Sequence, residues 1–137
     1  MFRNCFVVGI CCCLFFAACI YDPGDKRLVI INKSNNNICV SWNKEPFPEY
    51  PSKNKTEFYF SNIIAINREV KLPETDANWP YFVQTSSNKK LNLFVFNVDS
   101  LKYYNSIDTL IKRKIYKYFK FSEEELEKQD WKVQVSN

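Results

Sequence analysis

The sequence has no histidine and only two glycines among its 137 residues. Without histidine the chain lacks the commonest general base and the commonest protein ligand of zinc, which excludes Ser–His and Cys–His catalytic pairs. Gly9 lies in an apolar N-terminal run, and Gly24 alone cannot form the glycine-rich loop that binds nucleotide phosphates. We therefore expect no metal site and no cofactor.

The N-terminus has the composition of an export signal. Arg3 is the one charge before residues 5–18, which contain no charged or strongly polar residue. A transmembrane helix needs about 20 apolar residues, and this run is shorter even when it is extended to Ile20. We interpret residues 1–18 as a signal peptide.

The end of this run, Phe16-Ala17-Ala18-Cys19, resembles the lipobox of bacterial lipoproteins. In that motif, small residues precede a cysteine that receives a diacylglyceryl thioether and becomes the first residue after cleavage. The resemblance implies a lipid on Cys19, and residues 19–26 then form a tether because Asp, Pro and Gly break regular structure. Two or three acyl chains hold a protein firmly on a membrane, at about 0.8 kcal/mol per buried methylene. A plain signal peptide and an uncleaved anchor are the alternatives.

Export also limits the charge and the cysteine chemistry of the mature chain. Removing residues 1–18 leaves 18 basic and 15 acidic residues, a net charge of +3, which is no nucleic-acid signature. Lipidation of Cys19 leaves Cys39 without a second cysteine, so no internal disulfide can form. Since no histidine can activate the thiol, we expect Cys39 to be buried and inert.

Residues 27–137 are long enough for a single domain with one core. Short runs rich in β-branched and aromatic residues predict strands: RLVIIN, NICVSW, KTEFYF, IIAINREVKL, PYFVQT and LNLFVFNV. The first two are separated by KSNN and predict a β-hairpin. Repeated short strands favour an antiparallel, sandwich-like sheet arrangement.

The C-terminal third predicts helices. Four apolar residues after Ser106 have helical spacing: Ile107, Leu110, Ile111 and Ile115. Ser122 and Glu125 are placed for a capping box, and the alternation over residues 131–135 predicts a last strand. The expected fold class is α+β, a single antiparallel β-rich domain with one or two short C-terminal helices.

The same third of the chain resembles the tails of small Bacteroidetes-type lipoproteins of unknown function. The shared order over residues 91–135 is an aromatic strand, Asp-Ser/Thr-Leu, a helix, Ser-x-x-x-Leu, then a polar residue and Trp. The resemblance implies a lipid-anchored protein of the cell envelope, and it implies no reaction. Within it, Asp99-Ser100-Leu101 resembles the O-glycosylation pattern of exported proteins from those bacteria. Ser100 is therefore a candidate glycosylation site, ahead of Thr109, which a helix would have to leave exposed.

Acidic side chains are the remaining candidates for catalysis. Glu74 is close to Asp76 in the sequence, and four acids lie between Glu123 and Glu127. Paired carboxylates catalyse when their surroundings separate their pKa values, whereas acids in an exposed first helical turn are more simply solvated. We therefore expect a protein that is not an enzyme and has no catalytic residue, with a small carboxylate-dependent envelope hydrolase as the alternative.

Two loops suggest binding instead. Residues 42–55 contain three prolines with Phe47 and Tyr50, and residues 72–81 contain two prolines with Trp79. Aromatic side chains stiffened by proline lose little entropy on contact, so loops that leave the same end would form a patch suited to a glycan or a protein. The simpler interpretation places these aromatics over the ends of the core.

The sequence predicts a membrane-anchored bacterial lipoprotein that acts as a non-enzymatic accessory or interaction module in the cell envelope. The lipid on Cys19 would hold it on a membrane, by expectation the outer one, facing either the periplasm or the surface. We expect a protein or glycan partner and no nucleic acid. A structural or inhibitory lipoprotein is a further alternative.

Overall fold

A computed structural model describes residues 24–74 and 77–137. The predicted signal peptide and Cys19 lie outside these residues. Within the described ranges, no helix has the length and apolar character needed to cross a bilayer. Strands and helices follow in the order β1 (Asp25–Asn32), β2 (Ile38–Asn43), α1 (Thr56–Ser61), β3 (Glu69–Glu74), α2 (Trp79–Thr85), β4 (Leu91–Asn97), α3 (Val98–Tyr104), α4 (Ile107–Lys112), β5 (Lys117–Phe121), α5 (Glu123–Lys128) and β6 (Lys132–Val135).

The strands form two three-stranded sheets, ordered β3-β1-β6 and β2-β4-β5. The second sheet is antiparallel throughout, whereas β1 is antiparallel to β3 and parallel to β6. The predicted α+β class is thus confirmed, with more helices among the described residues than the sequence predicted. Within the described residues β2, β3, β5 and β6 are edge strands, since each has a partner strand on one side only.

The β2-β4-β5 sheet is covered on both faces. One face of β4, with Leu93 and Val95, packs against the β3-β1-β6 sheet. The other face, with Phe94 and Phe96, packs against α3, α4 and Tyr59 of α1. This burial explains why β4 is an almost unbroken apolar run, since only a strand with both faces in a core has no need of alternate polar residues.

The predicted hairpin between the first two strands is wrong. β1 and β2 belong to different sheets, and the turn between them carries the chain from one sheet to the other. The fully buried Asn32 fixes this crossing, because its Nδ2 donates to the carbonyls of Asn36 and Ile64 and its Oδ1 accepts from the backbone and hydroxyl of Ser34. The buried Asn32 amide thus makes four hydrogen bonds to three residues, and these bonds hold the turn between the two sheets.

Two predicted strands are helices. KTEFYF forms α1, where Tyr59 packs edge to face on Phe96, and PYFVQT lies in α2. In α2 the side chain of Asn78 accepts from the N–H of Tyr81, and a proline occupies the first turn. These are the usual signals of a helix N-terminus, and the burial of Trp79 and Val83 then decides the structure over strand propensity.

Most of the C-terminal predictions are confirmed, but α4 ends at Lys112 and leaves Ile115, the fourth residue of the predicted helical pattern, outside the helix. Ser106 caps α4, Ser122 and Glu125 form the capping box of α5, and residues 132–135 form β6. The hydrogen bonds from the backbone N–H and hydroxyl of Ser122 lower the pKa of Glu125, as expected for a carboxylate that accepts them.

The first strand begins at Asp25, inside the segment 19–26 that was predicted as a tether. Asp25 Oδ2 accepts from the N–H of Trp79 at 3.0 Å, and Oδ1 accepts from the N–H and Nε of Arg27. Partial desolvation alone would raise the pKa of Asp25, but these hydrogen bonds outweigh it and leave the pKa lowered. The chain therefore enters the domain pinned to the start of α2.

Candidate functional site

An apolar groove runs along the exposed edge of β2. It consists of two adjoining hollows of about 440 and 370 Å³, both lined by Val40, Trp42 and Phe58. The larger hollow extends past Asn43 to Phe82 of α2, and the smaller one extends past Ile64 to β3. We call these two hollows together the β2 groove.

The backbone of β2 faces this groove at alternate residues. Ile38 and Ile64 exchange two hydrogen bonds, from Ile38 N–H to Ile64 O at 3.1 Å and from Ile64 N–H to Ile38 O at 2.7 Å. Because successive residues of a strand direct their polar groups to opposite sides, the N–H and C=O of Val40 and Trp42 point the same way as those of Ile38. Within the described residues no strand pairs with them there.

The edge stays open because the chain leaves it to form α1. In an antiparallel register, Asn62 would be the next residue to pair with β2, opposite Val40. Instead the N–H of Asn62 donates to the carbonyl of Tyr59 and ends the helix. The pairing that begins at Ile38 therefore stops after one bridge, and α1 becomes a wall of the groove.

Three aromatic rings in edge-to-face contact support the larger hollow. Trp79 is fully buried, donates from Nε1 to the carbonyl of Leu72 at 3.0 Å, and packs edge to face against Trp42 and Phe82. Its ring centroid lies 5.7 Å from that of Trp42 and 5.5 Å from that of Phe82. Trp79 thus positions two lining residues without being exposed itself.

The two predicted loops meet at Lys44. Its Nζ lies 5.8 Å from the ring centroid of Tyr81 and 5.5 Å from that of Phe82, within cation–π range. The first loop, residues 42–55, is also held by hydrogen bonds to α4 and α1. Ser52 N–H donates to Asp108 of α4, and the Ser52 hydroxyl hydrogen-bonds Tyr59 of α1. Burial raises the pKa of Tyr59, so its hydroxyl stays protonated.

The charges around the groove are mostly positive. Lys44 and Lys71 line opposite hollows, and neither belongs to an ion pair in the part of the chain that the structure describes. Lys53 is paired with Glu49 at 3.0 Å. Each hollow therefore has one lysine outside these ion pairs, and the buried Glu74 lies beside Lys44 in a smaller neighbouring hollow.

The three predicted binding aromatics have different environments. Phe47 and Tyr50 are each 57% exposed on the first loop, close to the groove but outside its lining. Trp79 is 0% exposed, so its assignment to an exposed patch is wrong, and the alternative interpretation as a core residue holds for it. The second loop is also shorter than predicted, since β3 continues to Glu74 and α2 begins at Trp79.

Cys39 is buried on the helix-covered face of β2, as predicted. Desolvation raises the pKa of its thiol to about 12, so the thiolate is scarce at neutral pH. This cysteine is a core residue.

The other candidate residues are not part of the lining of the β2 groove. Glu74 is buried at the end of β3 and lines a small hollow with Lys44 and Phe82, which also line the groove. Asp76 lies outside the described residues, and three of the four acids in residues 123–127 occupy the first turn of α5. Ser100 lies half-buried in the first turn of α3 and Thr109 half-buried in α4, and glycosylation of either stays a prediction.

Comparison with known proteins assigns no family. No protein-family model matches the chain, and no curated protein or solved structure is significantly similar to it.

Proposed function

We propose that this protein is a lipid-anchored lipoprotein of the bacterial cell envelope that binds a partner non-enzymatically through the β2 groove. The observation that carries the binding role is the open edge of β2, where two backbone positions lie beside exposed apolar side chains. An unpaired strand edge invites another chain, and native proteins usually cover or charge such edges. The lipobox-like sequence at residues 16–19 supports the anchor.

The lining of the groove favours recognition over chemistry. Among its charged residues, Glu49 is engaged with Lys53, and the other two are lysines. The side chains shared by both hollows are valine, tryptophan and phenylalanine, which supply contact area and no proton transfer. This composition suits a binding surface better than a hydrolase site.

The lipid anchor predicts a change of location. In cells that export the protein, Cys19→Ser should move it from the membrane fraction to the soluble fraction and abolish its labelling by a palmitate analogue, because serine cannot form the thioether. Cys39→Ser is the matched control. Because Cys39 is buried in the core, this substitution should leave the membrane location and the labelling unchanged. A Cys19→Ser protein that stays labelled on the membrane would contradict the anchor.

The binding role predicts contacts at one face. A photo-crosslinking phenylalanine analogue at position 58, which is 43% exposed in the groove, should yield a discrete adduct on irradiation of the native cells. The same analogue at position 103, which is 82% exposed on α3, serves as the control for surface encounters. Equal yields at the two positions, or none at position 58, would overturn the assignment of the groove.

A further inference from the structure

We infer that the β2 groove binds an extended polypeptide segment by strand addition, and that this segment carries two apolar side chains two residues apart between acidic residues. This inference rests on the proposed binding role of the groove and names its ligand class and binding mode.

The backbone of β2 determines the binding mode. Ile38 and Ile64 form a pair that exchanges both hydrogen bonds, so Val40 and Trp42 occupy equivalent positions along the same edge. A segment that continues the antiparallel register from Ile64 would exchange two bonds with each of them. Main-chain bonds of this kind provide the affinity in strand addition and require an extended partner backbone.

The residues that line the groove determine which side chains the bound segment needs. Residues directly opposite each other in an antiparallel pair put their side chains on the same face. Side chains opposite Val40 and Trp42 would therefore point toward the layer between the sheets, where Val70, Leu72 and Phe82 line the groove. Two apolar residues separated by one residue satisfy this geometry.

The lysines of the groove determine which residues flank the apolar pair of the bound segment. Lys44 lines the hollow on the Asn43 side of the groove and Lys71 lines the hollow on the Ile64 side, both outside the ion pairs of residues 24–74 and 77–137. Acidic residues before and after the apolar pair would meet these lysines. Such rim charges steer encounter and select against basic segments.

The test uses a random heptapeptide library displayed on phage and selected against residues 24–137 fused to an affinity tag at the C-terminus, in parallel with the full exported chain. Enriched peptides should place apolar residues at alternate positions with Asp or Glu on either side. The consensus peptide is then synthesised with and without N-methylation of the residues expected to pair with Val40 and Trp42. Methylation should weaken binding about tenfold or more, because it removes an amide donor and obstructs the ladder.

Two variants check the site. Val40→Pro removes an N–H that faces the groove and takes no part in the β2–β4 ladder, so it should weaken peptide binding about tenfold. Lys44→Glu with Lys71→Glu changes two exposed side chains, and it should shift selection toward basic flanks even if Val40→Pro fails to fold. Lys102→Glu on α3 is the control for the change of charge.

The results separate strand addition from the binding role itself. Crosslinking at position 58 without peptide enrichment, or with peptides insensitive to N-methylation, would overturn strand addition and leave the binding role standing. The absence of both would overturn both. A second copy of the chain is the alternative occupant. Either of two results in sedimentation would identify it and contradict the peptide. One is a dimer that the N-methylated peptide displaces as strongly as the unmodified peptide does, and the other is a dimer that Val40→Pro abolishes while no peptide binds.

Discussion

Replacing Trp79 with alanine is expected to lower the free energy of unfolding by about 3–5 kcal/mol, a large part of the stability of a domain of this size. The indole is fully buried between the sheets and contacts Trp42 and Phe82 edge to face. Its removal would leave a cavity that neighbouring side chains fill only in part. Denaturant unfolding followed by circular dichroism measures the loss, because the amide signal does not depend on the deleted fluorophore.

Two matched variants separate the causes of this loss. Trp79→Phe keeps an aromatic ring but removes the donor to the Leu72 carbonyl, and we expect it to cost about 1–3 kcal/mol. Tyr81→Ala removes a ring that is 53% exposed on the same helix and should change stability by about 0.5 kcal/mol or less. If Trp79→Ala and Tyr81→Ala unfold at the same denaturant concentration, Trp79 is not the core residue that the structure shows.

The difference between Trp79 and its exposed neighbours illustrates how far the sequence could predict this site. The run NICVSW was correctly predicted as a strand, the helical spacing after Ser106 correctly predicted α4, and the capping box of Ser122 and Glu125 correctly predicted α5. These features are local, since a strand alternates and a cap needs a residue three positions away.

The misjudged features depend on distant residues. The hairpin was predicted from a polar turn, but the turn is held across sheets by the contact of Asn32 with the carbonyl of Ile64. The open edge of β2 likewise results from the choice of sheet partners, which no local pattern encodes. Trp42 could be assigned to a strand from the sequence, whereas its place in a groove required the position of α1.

One local signal was available at the second loop. Asn78 precedes a tryptophan and a proline, and Trp79, Phe82 and Val83 recur at helical spacing. The run PYFVQT, taken alone, has strand propensity, and the cap just before it was the better guide. Recognising that cap would have put Trp79 at the start of an amphipathic helix and so in the core.

The second large effect is expected at Asn92, which lies inside β4 beneath the start of the first loop. Its side chain is fully buried, and its Oδ1 accepts from Asn88 Nδ2 at 2.8 Å and from the Tyr118 hydroxyl at 2.7 Å. Its Nδ2 donates to the carbonyls of Asn43 and Lys44, each at 3.3 Å. Partial burial raises the pKa of Tyr118, so its hydroxyl stays a donor near neutral pH.

Asn92→Leu keeps the approximate volume of the side chain and removes all of these hydrogen bonds. We expect the free energy of unfolding to fall by about 2–4 kcal/mol. Each buried donor or acceptor left unpaired costs about 1–3 kcal/mol, and burial of the apolar leucine side chain offsets part of this cost. Tyr118→Phe removes a single donor to the same amide and should cost less, about 1 kcal/mol. Denaturant unfolding of the two variants measures both costs, and equal stabilities would contradict a buried network centred on Asn92.

The same substitution should loosen one wall of the β2 groove without altering its lining. Lys44 follows β2 directly, and its carbonyl accepts from Asn92 and from the N–H of Ser87 at 3.0 Å. When the Asn92 amide is lost, Ser87 alone holds this carbonyl, so the Ser87 N–H should exchange with solvent faster in Asn92→Leu than in Tyr118→Phe. The yield of crosslinking at position 58 should then decrease together with the protection of the Ser87 N–H against exchange. The reason is that Lys44 is the point at which the first loop is held against α2. Unchanged Ser87 exchange in a destabilised Asn92→Leu protein would show instead that the amide supports the sheet and not the groove.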